Sequence, residues 1–208
     1  MSKAKALDSK NCLVVKVGKA DMKVFLETKS LILRQLTQND ADNLFKLDTD
    51  SEVMRFINGG KPTEYDVIQN KILPQWLEYY KKYQGYGFWA AIEKLSHEFI
   101  GWFHFKPALD NQDEIELGYR LRKAVWSKGY ATEGSRALIL KGFKELGTQR
   151  VVAIALPIHK ASIRVMEKLG LKFEKKYMHK TNQEVVKYSL DKDEFDIAEL
   201  MERTNWAP

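Results

Sequence analysis

The strand-like run Ile115-Glu116-Leu117-Gly118-Tyr119-Arg120-Leu121 and the segment after it, Arg122-Lys123-Ala124-Val125-Trp126-Ser127-Lys128-Gly129-Tyr130-Ala131-Thr132-Glu133, concentrate the chemistry of this chain. An alternating, apolar-rich run passes into a short polar loop, and the loop hands Ser127–Ala131 to the start of a helix. The first backbone N–H groups of a helix have no partner within it. Aligned peptide dipoles place roughly half a positive charge at that end. Such a terminus suits anions, phosphate oxygens above all. Gly129 and Ala131 are small enough for a diphosphate to touch backbone at both, and Lys128 adds a cation at the mouth. Glycine and lysine also occur at strand–loop–helix junctions for turn reasons alone, so Gly129 by itself decides nothing. The spacing departs from Gly-x-x-x-x-Gly-Lys-[Ser/Thr] and from Gly-x-Gly-x-x-Gly, which removes support for nucleotide hydrolysis and dinucleotide binding.

The flanking sequence supplies the elements this loop needs. Leu138, Ile139, Gly142, Phe143 and Leu146 share one face of a helix that Gly147 stops. Arg150–Leu156 reads as a buried strand, 160–169 as a helix ending at Gly170, and 172–178 and 184–190 as two further strands. Upstream, Ser30–Leu36 reads as a strand, and Asn39-Asp40 can cap a helix carrying Leu44, Phe45 and Leu47. A second helical piece near Ser51–Ile57 breaks at Gly59-Gly60-Lys61-Pro62. A longer helix, with Thr63 as cap, runs through Tyr83 and is kinked or split by Pro74. The runs 87–93, 98–106 and 114–121 are joined by short polar connections and predict an antiparallel meander. Residues 1–27 form an N-terminal extension, with a hairpin expected around Gly18-Lys19-Ala20-Asp21; 28–190 form the domain proper, and 191–208 a helical tail. The fold class is α/β (α+β): a twisted, mostly antiparallel sheet of mixed direction flanked by helices.

Composition narrows the function. The chain has 208 residues, 44% apolar and 12% aromatic, enough for one sizeable core. The longest apolar run, Val151 to Ile158, is too short to cross a bilayer, and Met1–Lys10 resembles no secretory signal. Cys12 is the single cysteine, so a disulfide framework and a thiolate metal cluster are both ruled out and the expected compartment is the reducing cytoplasm. The net charge of +6, from 34 basic and 28 acidic residues, is spread along the chain. A solvated surface explains it, with attraction to a polyanion as the functional alternative. Helix-turn-helix, RNP and zinc-spacing patterns are all missing, which disfavours nucleic acid as partner. A homodimer is an open possibility.

With the residues in view, Trp126-Ser127-Lys128-Gly129-Tyr130-Ala131-Thr132-Glu133 resembles the pyrophosphate loop of the GNAT acetyltransferase superfamily, of general form [Gln/Arg]-x-x-Gly-x-[Gly/Ala]. The aromatic at the first position is similar to the RimJ/RimL-like branch of ribosomal-protein N-terminal acetyltransferases. Leu31-Ile32-Leu33-Arg34-Gln35-Leu36, Phe99-Ile100-Gly101-Trp102, Glu116-Leu117-Gly118-Tyr119 and Ala161-Ser162-Ile163-Arg164-Val165-Met166-Glu167-Lys168-Leu169-Gly170 extend the resemblance in order over 28–190. It implies the acyl-CoA N-acyltransferase fold, acetyl-CoA as co-substrate, no metal, and an amine acceptor, either a small molecule or a protein N-terminus. One departure stands out. The family places Asn three residues before the helix serine, where its side chain bonds the pantetheine arm; here that residue is His159, whose imidazole can also donate a hydrogen bond.

The implied reaction is attack of an amine on the acetyl thioester. Deprotonating the amine at pH 7 costs about 1.4 kcal/mol for an α-amino group and about 4.6 for lysine, so a general base helps. Glu116 is the first candidate, with pairing to a basic neighbour such as Arg120 as the equally weighted alternative; Glu114 is the understudy, and His104 a remoter choice that reads first as a packed histidine. Ser162 lies with Val165, Met166 and Leu169 on the apolar face of its helix and is the candidate acid, or hydrogen-bond donor, for the leaving thiolate; Tyr119 can share that role. The resemblance implies that Leu121 and Tyr119 offer backbone groups to the pantetheine, and that Ser127, Lys128, Gly129, Tyr130, Ala131 and Thr132 surround the diphosphate. Trp126 reads as a packing plug more than a cofactor stack. Met54, Phe56, Trp76, Tyr79, Tyr80, Tyr83 and Tyr86 make the acceptor region aromatic, most of them as core. A catalytically weak acyl-CoA-binding sensor is the competing reading.

Overall fold

A computed structural model describes residues 7–8, 12–17 and 20–195, with side chains from 23 to 195. Among them one ten-stranded sheet carries the order β1-β2-β3-β4-β5-β6-β7-β8-β10-β9. The strands are β1 (Leu7–Asp8), β2 (Cys12–Val17), β3 (Ala20–Glu27), β4 (Leu31–Gln35), β5 (Gly87–Glu93), β6 (Phe99–Pro107), β7 (Ile115–Leu121), β8 (Arg150–Ala155), β9 (Lys172–Met178) and β10 (Glu184–Asp191). All neighbours are antiparallel except β7 and β8, which are parallel. That single parallel step is the crossover through helix α5 (Tyr130–Glu145), and it confirms the mixed, mostly antiparallel α/β sheet. β2 and β3 pair antiparallel up to Val17 opposite Ala20, while the expected turn residues Gly18 and Lys19 lie outside the described residues. The expected helix over 192–203 also lies outside them beyond Phe195; Lys192–Glu194 is a single 3₁₀ turn.

Alternation along the strands sorts the core into two layers. Leu31, Leu33, Trp89, Phe103, Phe105, Leu117 and Val151 pack beneath α5 and α6 (Lys160–Lys168). Leu36, Phe88, Ala90 and Trp102 pack on the opposite face against α1 (Ala41–Asp48), α2 (Ser51–Asn58) and the helical run 65–82. Consecutive residues such as Phe88 and Trp89, or Trp102 and Phe103, thus serve opposite layers. Fully burying one such side chain contributes about 1.5–3 kcal/mol.

Local chemistry departs from expectation at three helix ends. Pro74 does not split its helix in two: α3 (Tyr65–Val67) passes through a π turn (Ile68–Ile72) into α4 (Leu73–Lys82) as one run. Leu73 N–H reaches the Ile68 carbonyl, and this wider turn absorbs the proline's missing donor and the crowding its ring would cause. Thr63 does not cap this run; Glu64 occupies that position while the Thr63 hydroxyl bonds Asp48 Oδ2 at 3.3 Å. Asp40 precedes α1, but its carboxylate turns back to Arg34 and to Thr37 N–H.

Candidate active site

The site grows from the parallel step. β7 and β8 pair only at Ile115 with Val151 and Glu116 with Val152, although both strands continue, to Leu121 and Ala155. β6 stays paired with β7 throughout and β10 with β8, so the two halves of the sheet part after Glu116 and leave a notch. Arg122 N–H bonds the Ile100 carbonyl at 2.8 Å. Antiparallel alternation then turns the main-chain groups of Gly118 and Arg120 toward β6, and those of Tyr119 and Leu121 into the notch. The Leu121 carbonyl accepts the Trp126 indole N–H at 2.8 Å. Trp126 is 41% exposed, so the packing-plug reading is corrected: its indole clasps the loop back onto β7 from the surface.

The loop and α5 form the second part. Ser127 (φ +62) and Gly129 (φ +88) both adopt left-handed backbone on either side of Lys128, and alternating backbone sense of this kind aims successive N–H groups into one concavity. Gly129 occupies the N-cap of α5, and Tyr130, Ala131 and Thr132 fill its first turn. A Cβ added at Gly129 would meet nothing within 4 Å, so the hollow in front of these amides is open. Glu133, the acidic residue of that turn, is held away from the hollow by accepting Ser30 N–H at 2.7 Å. An open concavity lined by N–H groups at a helix N-terminus fits the diphosphate of coenzyme A.

Across the notch, Tyr119 of β7 and Ser162 of α6 come together. Burial holds the Tyr119 phenol above its ordinary value, against an opposing hydrogen bond from Ser162. Tyr119 therefore keeps its proton at neutral pH and can donate it. His159 is the N-cap of α6 and stacks on Phe56 of α2, ring centroids 4.0 Å apart and planes 15° apart. Burial lowers its pKa, so the ring is neutral near pH 7. Phe56, grouped in the sequence with core aromatics, is thus tied to the proposed pantetheine contact; nothing in its spacing announced a partner more than a hundred residues away.

Glu116 lies on the opposite face of the sheet from Tyr119. Lys106 Nζ donates to its Oε2 at 2.9 Å, and His104 Nε2 stands 3.2 Å from its Oε1. Burial alone would raise this carboxyl, but His104 and Lys106 override it and hold it far below the usual carboxylate range. Its basic partner is therefore Lys106; Arg120 turns instead to Asp48 at the end of α1, with its guanidinium 5.1 Å from the centre of the Trp102 ring. The register explains the pairing, since Lys106 stands directly opposite Glu116 while Arg120 stands opposite Trp102. Glu114, the understudy, is committed to Lys187 at 2.6 Å and Arg150 at 3.2 Å. Trp76 stacks on Phe88 at 4.1 Å and meets Trp102 edge-on at 5.0 Å, a packed layer beneath α4. No group of His, Cys, Asp and Glu suited to a metal occurs among the described residues, and no helix there is long and apolar enough to cross a membrane.

Comparison with known proteins agrees with this geometry. Residues 30–172 match the acetyltransferase (GNAT) domain family. The chain is 33% identical to the uncharacterised protein YkkB of Bacillus subtilis, over 80% of this chain and 95% of that one. It is 30% identical to the FsC-acetyl coenzyme A-N(2)-transacetylase of Aspergillus fumigatus, over 88% and 83% respectively. Among solved structures, the RimL ribosomal L7/L12 alpha-N-protein acetyltransferase in complex with coenzyme A shares the fold at a TM-score of 0.70 and 15% identity, over 83% of this chain and 100% of that one. The matched family, the splayed parallel strand pair and the amide-lined loop lead to one conclusion: this chain belongs to the GNAT acetyltransferases and is an acetyl-CoA-dependent N-acetyltransferase.

Proposed function

We propose that the chain transfers the acetyl group of acetyl-CoA to a primary amine, with the protein N-terminal α-amine as acceptor. The observation that carries the reading is the notch beyond Glu116, which opens the sheet between an anion-binding loop on one side and the Tyr119–Ser162 pair on the other. Ser127, Lys128, Gly129, Tyr130, Ala131 and Thr132 hold the diphosphate through their amides and the Lys128 charge. The main-chain groups of Tyr119 and Leu121 bind the pantetheine as an added strand edge, His159 donates to the same arm, and Trp126 fixes the loop that carries the site. The thioester carbonyl is thereby placed at the floor of the notch. Tyr119 and Ser162 donate hydrogen bonds to the sulfur as charge collects there. A thiol ordinarily titrates near 8.5 and a phenol near 10, so Tyr119 stabilises the thiolate chiefly by hydrogen bonding rather than by complete proton transfer.

On the other face, Glu116 receives the proton that the amine gives up. A carboxylate held so low by His104 and Lys106 is a modest acceptor. That favours the less basic amine: an α-amine needs about 1.4 kcal/mol to become neutral at pH 7 where lysine needs about 4.6. The RimL neighbour, by its name an alpha-N-protein acetyltransferase, supports the same acceptor class. A small-molecule amine is the second reading, favoured by the relative named FsC-acetyl coenzyme A-N(2)-transacetylase. We place the reaction in the cytoplasm, where the lone Cys12 stays reduced. An acceptor screen scored by thiol release from acetyl-CoA tests the assignment. Peptides with free α-amines should turn over, Nα-blocked peptides with free lysines should not, and turnover confined to small amines would replace the first reading by the second.

A further inference from the structure

The imidazole of His104 lies against Gly118 on the same face of the sheet as Glu116: a Cβ at Gly118 would meet its Nε2 and Cε1 at 2.6 Å each. Glycine at 118 is therefore what lets a histidine lie across β7 where β7 and β8 begin to part. Its Nε2 is buried and has no aligned hydrogen-bond partner, yet stands 3.2 Å from Glu116 Oε1. A buried ring nitrogen left without a bond costs stability unless it has another use. The aromatic walls are Phe88 and Trp102, with ring centroids 5.6 and 5.9 Å away. The charged and titratable groups around this pair are Glu116 and Arg120 from β7, Lys106 from β6, Asp48 from α1 on Arg120, Tyr79 from α4 and Tyr177 from β9.

We propose that His104 stands behind Glu116 as the final holder of the proton lost by the acceptor amine. The inference rests on the acetyl-transfer reading above. As the nitrogen lone pair forms the new C–N bond, the C–S electron pair leaves with sulfur. The N–H proton passes to Glu116 Oε1 and on to His104 Nε2, so the lasting charge sits on the imidazole beside a carboxylate. The thiolate then recovers a proton from solvent and the imidazolium releases one to it. Glu116 contacts the amine; His104 is a positioning and proton-storing residue that acts through it. Burial lowers the imidazole pKa, so the ring is neutral and able to accept at pH 7. The same imidazole, once charged, and Lys106 keep Glu116 from retaining the proton itself.

The test is the pH profile of kcat for the wild type and for His104→Gln, which keeps a polar side chain but cannot titrate. The wild type should lose activity through an acid limb below the ordinary imidazole value of about 6.5. His104→Gln should lose that limb and about 10²–10⁴-fold in kcat, with acetyl-CoA affinity unchanged by calorimetry. Gly118→Ala, which displaces the ring, should lower kcat in the same way. Wild-type kcat and an unaltered acid limb in His104→Gln would overturn the proposal, as would a loss of acetyl-CoA affinity matching the loss of kcat, which marks a packing role. A wild type that binds no acetyl-CoA would instead refute the acetyl-transfer reading, so the two failures are distinct.

Discussion

Replacing Gly129 with glutamate should weaken acetyl-CoA binding about a hundredfold while leaving the protein folded. The folding cost has one source. An L-residue forced to φ +88 pays about 1–2 kcal/mol, and no steric term adds, because nothing lies within 4 Å of the new Cβ. In a domain of this size that is roughly 2–8 °C of Tm. The binding cost is larger. A carboxylate about 5 Å from the diphosphate repels each of its two charges by roughly 3 kcal/mol at an effective dielectric near 20. Screening at the exposed loop removes about half, leaving roughly 3 kcal/mol, or about a hundredfold in Kd. Gly129→Ala carries the strain without the charge, so its Tm should fall similarly while its Kd changes only a few-fold. Calorimetric titration with acetyl-CoA and a thermal melt on both variants give the two numbers. A folded Gly129→Glu protein with wild-type affinity would refute the placement of the diphosphate.

Other outcomes follow from neighbouring contacts. Tyr119→Phe should lower kcat about a hundredfold through loss of a donor to the developing thiolate, leaving the Kd for acetyl-CoA unchanged; steady-state kinetics with thiol detection checks it. His159→Ala should raise the KM for acetyl-CoA about tenfold, from the lost donor and the lost Phe56 stack, with kcat little altered. Asp48→Ala leaves the Arg120 charge buried and unpaired and should cost about 3–5 kcal/mol in urea unfolding; a loss below 1 kcal/mol would show that water reaches the guanidinium. The Asp40 carboxyl would be raised by burial, but Arg34 holds it below the ordinary value. Its contribution is thus present above about pH 4, the unfolded value, and is lost as pH falls through the lower folded one. Asp40→Asn should flatten that part of the stability curve, measured as urea midpoint against pH.

What could be read from sequence was whatever local period or turn chemistry encodes. The amphipathic stripe of Leu138, Ile139 and Phe143 fixed α5, and the aromatic-rich runs fixed β5, β6 and β7 in antiparallel order. The strand–loop–helix junction was legible because small residues mark a helix start, and Gly129 stands at the N-cap of α5 with Ala131 in its first turn. The partners of Glu116 were not, because they depend on register. A one-residue difference in pairing decides whether Lys106 or a neighbour stands opposite, and the irregular turn after Pro107 leaves that register open. The stack of His159 on Phe56 and the nesting of His104 over Gly118 are tertiary contacts with no local period. The π turn before Pro74 was hidden for another reason: proline signals a disturbed helix without specifying how the backbone accommodates it.

The most direct measurement of the central claim is a ¹⁵N-amide NMR titration with coenzyme A, run beside one with pantetheine, which lacks the diphosphate. Coenzyme A should shift the Ser127, Lys128, Gly129, Tyr130 and Ala131 amides strongly, and pantetheine should leave them in place while shifting Tyr119 and Leu121. Stationary amides from 127 to 131 under saturating coenzyme A would contradict the account.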